Sequence, residues 1–209
     1  MKNRRWIVVI GFAFLLTAVS IAQDFPRVEL AGGYSYINFH PNLPALTSQN
    51  LNGGGGSFVY NIVDWLGIKA DFMDYGFGSG WTTKLHNLGY TGSASANLFT
   101  YQFGPQIKRH KGKFQPFGET LFGAAHSNGY ASALKAKGDG TYVLISGAGS
   151  SNAFAMEMGG GLDITLSKTV QIRPVELDYQ LTRFGYKTFS ANQNNFKYFA
   201  GINFTLGGK

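Results

Sequence analysis

The chain has 209 residues, of which 29 are glycine, 15% are aromatic and none is cysteine. Such a chain suits one domain and can build neither a disulfide framework nor a thiolate metal site. The formal net charge is +7, but three of the 18 Lys and Arg residues lie within the first five positions. The remainder is only weakly basic.

The amino terminus has the pattern of a secretory signal peptide. Three basic residues precede the apolar run Trp6–Leu16, and the small-residue site Ser20–Ala22 follows it. We expect residues 1–22 to be removed, which leaves residues 23–209 as one mature domain. Retention as a membrane anchor is the weaker alternative, because the run is shorter than the roughly 20 residues that a membrane-spanning helix needs.

Apolar and polar side chains alternate with period two in eight segments, which predicts eight strands. The segments cover residues 27–39, 54–61, 66–77, 95–107, 114–126, 153–166, 170–184 and 194–209. In the sixth segment Met158 and Leu162 oppose Glu157 and Asp163, so the two faces of the strand differ sharply in polarity. In the seventh the phase changes at Pro174, which predicts a β-bulge there.

Long and short connectors alternate strictly between these segments. Polar stretches at residues 40–52, 78–93, 127–152 and 185–194 alternate with the short turns 62–65, 108–113 and 167–169. Nothing in the architecture of a soluble β-sandwich requires long and short connectors to alternate. An outer-membrane barrel has short periplasmic turns and longer external loops, so the pattern favours a transmembrane barrel.

The two faces of the strands indicate what the barrel encloses. Small and charged residues share one face and would line the lumen, while aromatic residues would face the lipid. Charges enclosed in this way must pair or stay hydrated, so we expect salt bridges across the lumen rather than an open pore. The candidate lumen residues are Glu29, Lys69, Asp71, Glu119, Glu157, Asp163, Arg173, Glu176 and Asp178.

The last strand carries the most specific motif. In GINFTL, Gly201 is followed by the aromatic Phe204 and the hydrophobic Leu206, which is similar to the signal by which the barrel-assembly machinery recognises its clients. With eight strands and a signal peptide, the chain resembles the OmpA/OmpX-type outer-membrane β-barrel domain family over essentially all of Asp24–Leu206.

This resemblance implies an eight-stranded antiparallel up-and-down transmembrane β-barrel in the bacterial outer membrane. We expect a monomer that contacts outer-membrane lipids and the barrel-assembly machinery and needs no cofactor. Its role would be structural or in surface interaction through four external loops, with an occluded lumen and an external partner that the sequence does not name. A narrow channel for small solutes is the main alternative, and a soluble lipocalin-like carrier is a weaker one.

Enzymatic chemistry has little support in the sequence. Some barrels of this kind resemble lipid A-modifying enzymes, and His126-Ser127 offers a base and a nucleophile, but adjacent strand residues point to opposite faces. The four histidines lie on different connectors without a metal-binding spacing. The run Gly53–Gly56 lacks the continuation of a phosphate-binding loop. We therefore expect no catalytic and no metal site.

The segment KRHKGK gathers four cations, Lys108, Arg109, Lys111 and Lys113. A cluster of this kind can contact nucleic acid. A secreted chain without a nucleic-acid-binding motif favours a solvated turn instead, and we expect no nucleic-acid partner.

Overall fold

A computed structural model describes residues 25–40, 48–76, 80–87, 89–136, 142–186 and 189–208. The elements are β1 (Val28–Phe39), β2 (Gln49–Val63), β3 (Leu66–Gly76), α1 (Gly80–Asn87), β4 (Thr91–Lys108), β5 (Phe114–Ala136), β6 (Tyr142–Thr165), β7 (Val170–Tyr186) and β8 (Phe189–Leu206). Each strand pairs antiparallel with the next, and the sheet closes into a barrel. The predicted eight-stranded barrel is confirmed. The predicted signal peptide lies outside the described residues and stays a prediction.

The seam between β1 and β8 closes the barrel. Gly32 pairs with Ile202 and Val28 with Leu206, and the amide of Arg27 donates to the Leu206 carbonyl at 2.9 Å. An open edge in hydrocarbon would leave backbone donors and acceptors unsatisfied, and the seam removes that edge. Both ends of the barrel chain therefore lie beside the three short turns, at what we call the short-turn end. The opposite end is the long-loop end.

The outer surface of the barrel is a belt of large apolar side chains. Period-two alternation turns them outward on every strand while their neighbours face the lumen. The belt includes Tyr34, Phe58, Tyr60, Ile68, Phe72, Tyr101, Phe103, Phe122, Phe154, Met158, Leu177, Tyr179, Phe196, Ile202 and Phe204. Among the described residues, no helix is both long and apolar enough to cross a membrane.

The predicted bulge in β7 is present. The pairing of β7 with β8 shifts register between Arg173 and Glu176. Pro174 lies within this interval and cannot donate a ladder hydrogen bond, while its carbonyl accepts a hydrogen bond from the Tyr198 hydroxyl at 2.9 Å. The shift returns Glu176 and Asp178 to the lumen, where both are buried.

Glycines form the inner wall next to the seam. A Cβ atom added to Gly33 would lie 2.1 Å from the Ala200 carbonyl oxygen, and one added to Gly53 would lie 1.9 Å from the Asp74 carbonyl oxygen. Real side chains do not approach backbone atoms so closely. Only glycine fits here, so these positions form a smooth part of the lumen wall.

All four predicted loops at the long-loop end contain regular structure in part, since β2 begins at Gln49 and β8 begins at Phe189. Most of residues 127–152 belongs to a β5–β6 hairpin that continues to Ala136 and restarts at Tyr142. The described part of residues 78–93 contains α1 and the start of β4. The hairpin segments are rich in Ser, Ala and Gly and carry no strong alternation. Cross-strand pairing, which local sequence does not encode, makes them strands.

Candidate functional site

The short-turn half of the lumen is built around Lys108. Its ammonium nitrogen lies 2.5 Å from Glu29 Oε2 and 2.6 Å from Asp163 Oδ2. The second oxygen of Asp163 accepts a hydrogen bond from Arg173 Nε at 2.7 Å, and Asn203 Nδ2 donates one to Glu29 at 2.6 Å. Strands from opposite sides of the barrel are thus joined across the lumen by charge-assisted hydrogen bonds.

Lys69 contacts three carboxylates in the central part of the lumen. Its ammonium nitrogen lies 2.6 Å from Glu119, 3.1 Å from Glu176 and 3.5 Å from Asp71. Gln106 donates to the second oxygen of Glu119 at 2.9 Å. An ammonium has three donors, so one lysine can satisfy several acids at once.

Lys197 of β8 occupies the same region from the other side. It lies 2.6 Å from Glu157, 3.2 Å from Asp71, and 3.5 Å from both Glu176 and Asp178. All of these side chains are fully or almost fully buried. Charges in such a place are tolerated only when they are paired.

Arg173 joins the two halves into one connected set, which we call the lumen charge network. Its Nη1 lies 2.7 Å from Glu176 Oε2, and its guanidinium carbon lies 4.3 Å from the centre of the Phe117 ring. The side chains of all nine candidate residues are buried in the network: Glu29, Lys69, Asp71, Glu119, Glu157, Asp163, Arg173, Glu176 and Asp178.

Sequence reasoning missed two cations of this network, Lys108 and Lys197. Lys108 was grouped with a solvated turn, but it ends β4 and points inward, opposite the exposed Ile107. The signal was available, since strict alternation through Gln102 and Gln106 places residue 108 on the inner face. Lys197 lies in phase with Asn203 on β8 and could have been assigned in the same way.

The long-loop end of the lumen is lined by apolar side chains rather than by charges. This apolar plug consists of Ile37, Phe39, Leu51, Met73, Tyr75, Leu98, Ala125, Ala155 and Phe199. Tyr75 meets the polar lumen, and its hydroxyl lies 2.8 Å from Ser35 Oγ. The expectation of an entirely small and charged inner face was therefore wrong at this end. At Ala155 and Phe199 the outward neighbours include Phe154 and Tyr198, so both faces are apolar there and the pattern hid the change.

Four acids of the network have oxygens within 4.8 Å of one another: Glu119, Glu157, Glu176 and Asp178. Two lysine ammoniums lie among them, each 2.6 Å from one carboxylate. The positive charge that a metal would supply is already provided by these side chains, so the arrangement is that of an ion-pair cluster.

The His126-Ser127 pair lies inside β5 and not beyond its end. His126 Nδ1 lies 2.7 Å from Asn152 Oδ1 on β6. Of the other histidines, His110 contacts Glu29 through Nε2 at 2.8 Å. It thereby extends the lumen charge network to the short-turn end.

The three residues of the terminal motif lie on β8 at the seam. Gly201 pairs with Gly33 of β1, and Phe204 pairs with Leu30. Phe204 is exposed on the outer face, and Leu206 is half-buried beside Val28. The motif is therefore divided between the inner wall and the lipid-facing surface.

Comparisons with known proteins place this architecture. No protein-family model and no curated protein sequence matches the chain. Ail, the attachment invasion locus protein of Yersinia pestis, gives a TM-score of 0.55 at 12% identity, covering 86% of this chain and 98% of Ail. Its complex with the heparin analogue sucrose octasulfate gives 0.51 at 13% identity, covering 85% and 96%. The chain has the fold of the outer-membrane β-barrels. At these identities the likeness concerns the fold, which is that of the small OmpA/OmpX-type barrels.

The outer-membrane barrel continues at its long-loop end into a three-stranded sheet, which we call the external sheet. It consists of residues 91–97 of β4, 128–136 of β5 and 142–153 of β6. Pairing of β6 with β7 begins only at Phe154, opposite Arg183. Within the described part of the chain, the edge of β6 from Tyr142 to Ala153 therefore has no partner strand.

Proposed function

We propose that the protein is an occluded outer-membrane barrel that presents the external sheet to partners at the cell surface. The observation that carries the proposal is the unpaired edge of β6 from Tyr142 to Ala153. An exposed edge offers a row of backbone donors and acceptors to another chain. Proteins commonly bind extended peptides by adding them as a strand to such an edge.

The chemistry of the edge favours an extended polypeptide as the partner. From Ala148 to Asn152 its exposed residues are Ala148, Gly149, Ser150, Ser151 and Asn152, none of which is charged or bulky, whereas the exposed Leu144 is the bulky residue nearer the tip. Small side chains leave the backbone accessible. Main-chain hydrogen bonds would then provide most of the affinity, and selectivity for sequence would be modest.

An occluded lumen is supported by two different barriers in series. The lumen charge network fills the short-turn half, and the apolar plug fills the long-loop half. Ions would have to break buried pairs in the first and cross a dry constriction in the second. This arrangement supports a role that does not require transport, and we infer that the protein is not an enzyme.

The same geometry supports a proposal for assembly and oligomeric state. We infer that Gly201, Phe204 and Leu206 act as the recognition signal for the barrel-assembly machinery, with Phe204 accessible on the outer face. Closure of the seam leaves no open edge in the bilayer, so a monomer satisfies the requirement for backbone pairing.

Conductance measurements test the occluded lumen against the channel alternative. The refolded protein in planar bilayers should give negligible current. The triple variant Ile37→Ala, Leu51→Ala and Phe199→Ala has a smaller apolar plug. Its current is measured beside that of the wild type, to show how much leakage a weakened plug allows. Steady, voltage-insensitive conductance from most inserted wild-type molecules would contradict occlusion and favour a channel.

Peptide selection combined with hydrogen exchange tests the edge. Random peptides should be selected against the barrel in lipid nanodiscs and then added during exchange of backbone amides. We expect protection of the amides of residues 142–153 of β6. A variant in which Asn-Gly replaces residues 129–149 should lose the binding. Protection confined to the β7–β8 hairpin, or binding that survives this replacement, would contradict the proposal.

A further inference from the structure

The short-turn end carries an excess of positive charge outside the lumen. Its cations are Arg27, Arg109, Lys111, Lys113 and Lys168, of which all but the half-buried Arg27 are exposed. Among the described residues at this end, Asp64 is the only acid outside the lumen. The remaining described acids belong to the lumen charge network, apart from Asp74 on the exposed face of β3.

A groove of 470 Å³ runs along the barrel wall between the β2–β3 and β4–β5 turns, and its lining combines charge with apolar surface. Its lining includes the cations Arg109 and Lys111, the acid Asp64, and the apolar side chains of Trp65, Ile107 and Pro116. Trp65 is 57% exposed and Ile107 is 58% exposed. Both continue the lipid-facing belt, so the groove opens at the level where hydrocarbon meets water.

Two acids lie near the groove. Asp64 is part of its lining, with Oδ1 3.9 Å from His110 Nδ1, and the Asp64 carbonyl also contacts that nitrogen. Glu29 is shared by His110 and Lys108. No ion pair joins Arg109 or Lys111 to any acid in the described ranges, so their charges are open to a ligand.

We propose that this groove binds the headgroup phosphate of an anionic phospholipid in the leaflet at the short-turn end. Arg109 and Lys111 would contact the phosphate, while Trp65 and Ile107 would pack against the glycerol and the upper acyl chains. Tryptophan prefers this interfacial level because its ring is amphipathic. The continuity of the groove with the lipid-facing belt favours a lipid as the ligand. A free phosphate or a nucleic acid would not need the apolar residues of the lining.

The expected strength of the preference follows from the charges. Each basic side chain near an anionic membrane surface strengthens attraction by about fivefold, and this contribution falls off within a Debye length. Removing two cations from the groove should therefore weaken the preference for anionic lipid markedly, and high salt should weaken it as well.

Fluorescence quenching can test the site at Trp65 directly. The full chain with Trp6→Phe and Trp81→Phe retains Trp65 as its only tryptophan. It should be folded into phosphatidylcholine vesicles that contain a minor fraction of either acyl-brominated phosphatidylglycerol or acyl-brominated phosphatidylcholine. We expect the anionic lipid to quench Trp65 more strongly at equal mole fraction. With Arg109→Gln and Lys111→Gln, half-maximal quenching by this lipid should need at least about fivefold more of it.

The matched control removes two cations away from the groove, with Lys168→Gln and Arg183→Gln in the same background. It should retain the preference of the parent. Folding of each variant is verified by heat-dependent mobility in gel electrophoresis. If the groove variant does not fold, the parent is measured at high salt instead. Loss of its preference for the anionic lipid then supports the proposal, and persistence of that preference overturns it. Equal quenching by the two lipids, or an equal loss in the control, also overturns it.

Discussion

Individual lysines in the lumen neutralise several acids at once. Lys197 contacts Glu157, Asp71, Glu176 and Asp178 within 3.5 Å. Seven carboxylates of the lumen charge network share only four Lys and Arg side chains. The loss of Lys197 would therefore leave two acids, Glu157 and Asp178, without a counter-charge, because neither contacts a second cation among the described residues.

Replacement of Lys197 by Met should destabilise the barrel by about 3 to 5 kcal/mol, the range found when one partner of a buried ion pair is removed. The exposed Arg183 provides the control, since Arg183→Met should change the free energy of unfolding by less than about 0.5 kcal/mol. Urea titration in lipid vesicles, followed by tryptophan fluorescence, measures both. Equal effects would show that the contacts of Lys197 contribute no net stability.

Lipid exposure of single residues can be tested by depth. Met158 is exposed on the outer belt in the body of β6, whereas Leu166 follows the last residue of that strand at the short-turn end. An arginine on the lipid face costs about 2 to 4 kcal/mol near the midplane and about 0 to 1 kcal/mol near the interface. We expect Met158→Arg to reduce the free energy of folding into bilayers more than Leu166→Arg. The reverse order would contradict the assigned membrane position.

At the scale of elements, the membrane-embedded parts of the strands are the parts that the sequence predicts. There one face meets hydrocarbon and the other meets charge, so alternation is strong, as in residues 153–166. The external sheet lies beyond the lipid-facing belt, where its two faces do not separate hydrocarbon from charge, so alternation is not required there. Its strands, and the start of β2 at Gln49, depend on pairing with neighbours and were therefore not predictable from local pattern.

The external sheet should be dispensable for the barrel. Asn128 and Ser150 are directly paired across β5 and β6, so a two-residue Asn-Gly turn can join them in place of residues 129–149. We expect this variant to fold with a free energy of unfolding within about 1 kcal/mol of the parent, because the removed residues lie outside the lipid belt. Failure to insert into vesicles would show that the external sheet is required for folding.

The seam offers a distance test. Gly32 and Ile202 are directly paired on the outer face of β1 and β8, where backbone separations are about 5 Å. Spin labels on cysteines at these positions should report close proximity in folded samples. Backbone separations beyond about 10 Å at the labelled pair would mean an open sheet.

Deletion of residues 196–209 removes both the partner strand and the terminal motif, and we expect a protease-sensitive product.

At the scale of the whole molecule, the sequence predicted what kind of site the lumen contains but not all of the residues that form it. Alternation alone identifies the acids at Glu29, Glu157 and Asp163 as facing inward, because charge is excluded from lipid. It does not indicate which cation reaches which acid, since Lys197 and Asp71 are 126 positions apart. The apolar plug was missed for a related reason. Where both faces are apolar, the pattern cannot distinguish lipid from a dry interior.

The lumen charge network also has a consequence for the order of folding. Its members come from seven of the eight strands, and Lys197 arrives on the last of them. A sheet that lacked β8 would hold Glu157 and Asp178 without their main counter-charge in a medium that penalises bare ions. Partly closed barrels are therefore electrostatically incomplete, which makes them unfavourable as stable intermediates. Folding into the membrane should accordingly be all-or-none, with the full set of buried ion pairs formed only at closure.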